Sequence, residues 1–83
     1  MTHTLKIKEM YADRIMSGRK SFEVIKNDRD FQVDDIIQFH PVTNHNEMLT
    51  VYHEIYEKRY KIVYMHSGLG MKDNYVVLGI KEI

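Results

Sequence analysis

The 83 residues carry 12 basic and 12 acidic side chains, so no net charge at pH 7, together with 43% hydrophobic residues and no cysteine. A chain this short buries only about 60% of its unfolded surface, which leaves room for one domain, 1–83, around one small core. Zero net charge argues against a generally basic nucleic-acid coat, and the lack of cysteine excludes disulfides and thiolate metal sites.

The opening segment, "MTHTLKIKEM", has no apolar run suited to a signal peptide or a membrane span, so the expectation is a cytoplasmic protein with no membrane partner. "HTLKIK" sets Leu5 and Ile7 against Thr4, Lys6 and Lys8 and reads as a first strand with one buried face. "KEMYADRIMSGR" places Met10, Tyr11 and Ile15 at helical spacing, which predicts one helix over roughly 8–17 with Gly18 as its left-handed terminator. "KSFEVI" alternates again. Phe22 and Val24 are expected in the core, with Ser21, Glu23 and Ile25 on the other face.

"KNDRD" is turn chemistry, and "DIIQFHPV" is a strand that ends at Pro41, which has no backbone N–H to donate. "TNHNE" is a loop. "MLTVYHEIYEKRYKIVYM" has enough β-branched and aromatic residues for two strands turning near 54–57, or for one long bent strand in which Tyr52, Tyr56, Tyr60 and Tyr64 share a face. "HSGLGMKDN" connects to a last strand, "YVVLGIKEI". The fold class expected is therefore α+β: a mixed β-barrel of about six strands with one helix between strands one and two.

Most chemical signatures are missing. "GLG" at 68–70 lacks the spacing of a phosphate loop, and no serine sits in a nucleophile elbow. The histidines His3, His40, His45, His53 and His66 form no helical ligand pair, so neither a metal nor a cofactor is expected. The tyrosines of 52–75 read as fillers of sheet faces rather than as stacking platforms. Charge does cluster once: residues 14–29 hold Arg14, Arg19, Lys20, Lys26 and Arg29 against only Glu23 and Asp28. Within that stretch Lys20 and Glu23 lie three residues apart. They make either a proton-transfer pair in a partly buried cleft or a structural ion pair.

The run "MSGRKSFEVIKNDRDFQVDDII" resembles the ASCH-domain superfamily, whose members share G-x-K-x-x-E-x-R after the first helix. Gly18, Lys20 and Glu23 match its first three fixed positions. The opening "H-x-L-K-I", "K-N-D-R-D-F", the Asp-Ile-Ile strand and the closing "Y-V-V-L" are similar to a small bacterial and phage subfamily of unknown function. The resemblance implies a PUA-like barrel whose cleft, beside the G-x-K-x-x-E strand, binds RNA, a nucleotide or a nucleoside.

One branch of the superfamily hydrolyses N4-acetylcytidine with a lysine and a threonine of K-T-x-T-x-R and a distant glutamate. Lys20 matches that lysine, and Glu23 stands at the second threonine. The family arginine is replaced by Ile25, and a usual glycine by Asp34. The leading expectation is an RNA- or nucleotide-binding module with Lys20, Ser21, Glu23, Lys26, Asn27 and Arg29 around the ligand. The alternatives are an amidohydrolase of acetylated nucleosides, with Lys20 and Glu23 catalytic, and a protein-interaction module without catalysis.

Overall fold

A computed structural model describes residues 1–83 as five strands, one α-helix and a 3-10 turn. In chain order they are β1 (Thr2–Lys8), α1 (Glu9–Met16), β2 (Phe22–Lys26), β3 (Ile36–Val42), the 3-10 turn (Glu54–Glu57), β4 (Tyr60–His66) and β5 (Tyr75–Glu82). The sheet runs β1-β3-β4-β5-β2, with β1 and β3 parallel and every other pair antiparallel. It curls into a half-barrel. β1 and β2 are its two edges, so a seam separates the first and second strands of the chain.

Leu5 and Ile7 of β1 point inward as their alternation predicts. They join Phe31, Ile37, Phe39, Ile55, Ile62, Val76 and Leu78 in one core, where full burial of a side chain of this size contributes roughly 1.5–3 kcal/mol. The helix buries Ala12 and Ile15, with Tyr11 and Met16 packed alongside, so its apolar stripe lies slightly beyond the Met10–Tyr11–Ile15 line. It ends where expected. Gly18 has φ 81° and donates its N–H to the Ile15 carbonyl at 3.1 Å. Pro41 lies within β3, opposite Ile7, at the end where β4 no longer pairs; its carbonyl accepts the Val51 N–H at 3.2 Å and Val42 bridges Thr50, so only the missing Pro41 N–H goes unused.

Three expectations fail. The sixth strand is absent: residues 51–59 form a loop and the 3-10 turn. Local chemistry explains this, because His53 Nδ1 accepts the Ile55 N–H at 3.1 Å and caps the turn, while Ile55 alone anchors the segment in the core.

The second failure concerns which way β2 faces. Phe22 and Val24 are 42% and 51% exposed on the outer face, whereas Glu23 and Ile25 turn inward. The sequence "FEVIK" has apolar residues at both parities, so its period does not fix its phase. Nor do Tyr60 and Tyr64 share a face. A bulge at Val63 breaks the register between Ile62 and Tyr64, leaving Tyr60 buried and Val63 and Tyr64 outside.

Candidate functional site

The helix terminator sets the site. After Gly18, the N–H groups of Arg19 and Lys20 both donate to the Arg14 carbonyl, at 3.0 and 3.1 Å, and the chain turns into β2. Lys20 then lies beside Glu23, the inward carboxylate of β2, and donates from Nζ to Oε1 at 2.6 Å. Both side chains are mostly withdrawn from water, 17% and 13% exposed. The same ammonium stands 4.4 Å from the centre of the Tyr11 ring and 5.6 Å from that of Phe22.

A cavity of about 330 Å³ occupies the seam. Lys6, Ile7 and Lys8 line it from β1, Glu23, Val24 and Ile25 from β2, with Tyr11 and Glu47 completing the wall. Lys20 itself opens onto an adjoining cavity of about 240 Å³ with Ser21, Tyr60 and Glu82. Burial pushes the Tyr60 phenol above its ordinary 10.0, and the Glu82 charge adds to the shift. The result is a cation, a carboxylate and a phenol ring at the mouth of a cleft with an isoleucine floor. Such a set can hold a small polar ring by stacking and by paired hydrogen bonds.

The expected residues divide into groups. Lys20, Ser21 and Glu23 lie together at one end of the seam. Ile25, at the family arginine position, packs against the core and presents no donor. Arg29 lies at the far end, where Nη1 donates to the Thr4 carbonyl at 2.9 Å and Nε to Asp28 at 3.1 Å, tying the β2–β3 turn across to β1. Lys26 and Asn27 lie away from the cleft. Lys26 faces outward, and Asn27 lines a separate cavity of about 280 Å³ against the 67–75 loop. Its N–H donates to the Asn74 carbonyl at 2.7 Å, and its Oδ1 accepts the Phe31 N–H at 3.4 Å, so Asn27 shapes the turn.

Tyr11, Lys6 and Lys8 are the contributors that sequence reasoning missed. Tyr11 reads as core stripe, and nothing local signals that β1 and β2 face each other.

Two ionisable pairs lie elsewhere. His3 and Asp35, both buried, meet at 2.7 Å, and the Asp35 carboxylate also accepts the Gln32 N–H at 3.1 Å and faces the terminal amine at 3.3 Å. The His3 bond holds the Asp35 carboxyl below its ordinary 3.8, against the opposing effect of burial. His53 links to Asp13 of α1 at 2.7 Å through Nε2. Because its Nδ1 accepts the Ile55 N–H, both ring nitrogens are occupied and His53 serves as a tie rather than a base. No group of three or more His, Asp or Glu side chains is placed to hold a metal. No helix is long and apolar enough to cross a membrane.

The chain belongs to a domain family of unknown function, DUF3850, whose model matches residues 2–80. Among solved structures it is similar to one titled "Crystal structure of hypothetical protein PH0355", at 16% identity and a TM-score of 0.64, with each chain covered completely. At that identity the likeness bears on the fold alone. No curated protein matches.

Proposed function

We propose that the protein is a cytoplasmic RNA- or nucleotide-binding module of the ASCH, PUA-like kind, acting through the seam between β1 and β2. One observation carries the reading: the Lys20 ammonium is held between the Glu23 carboxylate and the Tyr11 ring at the mouth of that seam. Lys20 supplies a cation to a phosphate or a base carbonyl, and Glu23 accepts from an exocyclic amine or a ribose hydroxyl. Tyr11 offers the ring on which a base stacks. Lys6 and Lys8 flank the opening from the opposite strand. Arg29, whose donors engage Thr4 and Asp28, holds the far end closed and does not touch the ligand.

Binding of labelled RNA, followed by anisotropy at two salt concentrations, and of single nucleotides, followed by calorimetry, tests the reading. Lys20→Ala should weaken binding roughly tenfold and flatten the salt dependence by about one unit of slope. Unchanged affinity and slope in that variant would remove Lys20, and with it the site.

A further inference from the structure

The outer face of the sheet carries a second surface that the seam does not use. Across β2, β5 and β4 the register aligns Phe22, Gly79 and Tyr64 in one row and Val24, Val77 and His66 in the next. Three features make this surface. The out-of-phase β2 turns Phe22 and Val24 to solvent, and the Val63 bulge turns Val63 and Tyr64 out together. Gly79 then leaves the backbone bare beneath the Tyr64 ring, where any Cβ would collide with it. Phe22, Tyr64 and the bare glycine floor bound an apolar groove of about 390 Å³.

Lysines dominate the charge around the groove. None of the outward positions of these three strands is acidic, and three are the lysines Lys26, Lys61 and Lys81. Lys81 pairs across the sheet with Lys61, and both stand two residues or so from the aromatic row, about 7 Å at the rise of a strand. Lys26 is the same distance beyond Val24. Of these lysines only Lys61 pairs with a carboxylate, Asp34 at 3.9 Å.

Exposed rings on a sheet, bordered by lysines with no carboxylate between them, complement bases joined by phosphates. A protein partner would need acidic residues spaced to both rims, whereas a nucleic-acid strand carries its negative charge at every residue. We infer that the outer face of β2, β5 and β4 is a platform for single-stranded nucleic acid, with Phe22 and Tyr64 stacking bases and Lys26 and Lys81 contacting phosphate. Lys20, 5.6 Å from the Phe22 ring, joins this platform to the seam. The inference rests on the nucleic-acid reading of the seam for its choice of polymer, yet uses different residues.

The test measures a labelled 10-nucleotide uridine RNA and free uridine monophosphate against the same proteins. In Phe22→Leu/Tyr64→Leu, 10-mer affinity should fall tenfold or more, since each lost stack weakens binding by roughly fivefold to a hundredfold. Tyr64→Leu alone, which leaves the Phe22 ring beside Lys20 in place, should leave binding of the mononucleotide unaffected. Lys26→Gln/Lys81→Gln disturbs no packed ring and should flatten the 10-mer salt dependence by about 1.4 units of slope, the single-strand value for two phosphate contacts. The platform is overturned if both double variants bind the 10-mer as the wild type does, or if the wild type does not bind it at low salt. It is also overturned if the wild type is a dimer that Phe22→Leu/Tyr64→Leu converts to monomer, because the face then belongs to a second copy. Loss of mononucleotide binding in Lys20→Ala reports on the seam alone, so either reading can fail without the other.

Discussion

β1 and β2 are the two edges of one sheet, and both are short runs of alternating apolar and polar residues. They use that alternation in opposite ways. In β1 the apolar residues fill the core, with Leu5 and Ile7 only 2% and 3% exposed. In β2 the regular apolar pair, Phe22 and Val24, faces solvent, and a carboxylate faces in. Alternation specifies a period, and the phase comes from what each face can satisfy. Each strand also carries one ionisable residue inward with a partner of its own: His3 with Asp35, and Glu23 with Lys20. For β2 the inward phase is tolerable because Lys20, positioned by Gly18, meets the carboxylate at once. The apolar face left outside is then free for a partner.

The sharpest test of the contrast is a matched pair of truncations. Leu5→Ala should cost about 2–5 kcal/mol, the range for a buried leucine that leaves a cavity. Val24→Ala should cost roughly 0.5 kcal/mol or less, as at other exposed positions. Urea denaturation of the two variants checks this. Comparable losses would mean that β2 packs in the phase its sequence first suggests.

A second test probes the inward pair of β1. The folded Asp35 carboxyl lies below the ordinary 3.8, so the native state binds fewer protons there than the unfolded chain. Its contribution is complete above the unfolded value and is lost as pH falls through the folded one. Asp35→Asn should therefore be less stable than the wild type at neutral pH, and the two stability curves should converge below about pH 4. A constant gap between them down to strong acid would separate Asp35 from the acid response.

Features decided locally were legible in the residues. Leu5 and Ile7 announced β1, and Gly18 the left-handed helix end, because a single conformational requirement governs each. Lys20 and Glu23 could be brought together on paper since three residues separate them. Features that turn on a single side-chain bond, on one inserted residue or on distant pairing were not. Whether 51–57 makes a strand turns on a His53 side chain capping its own segment, and which faces Tyr60 and Tyr64 occupy turns on one inserted residue at Val63. The seam was invisible for a topological reason: β1 and β2, nearly consecutive in the chain, become neighbours only because three later strands pair between them. Tyr11, Lys6 and Lys8 therefore join the cleft without any local signal.

A smaller effect on stability than at Leu5 is expected at Gly79, and it isolates the outer face from the fold. The backbone there is ordinary strand, so alanine adds no dihedral strain; its methyl meets only the Tyr64 ring, an exposed side chain able to swing away. Gly79→Ala should change the unfolding free energy by no more than about 1 kcal/mol. The displaced ring would be seen in shifted Tyr64 resonances, while those of Leu5 and Ile7 stay in place. A loss of several kcal/mol would mean that Tyr64 is fixed by its surroundings, and that the outer face of β2, β5 and β4 belongs with the packed interior of β1 rather than in contrast to it.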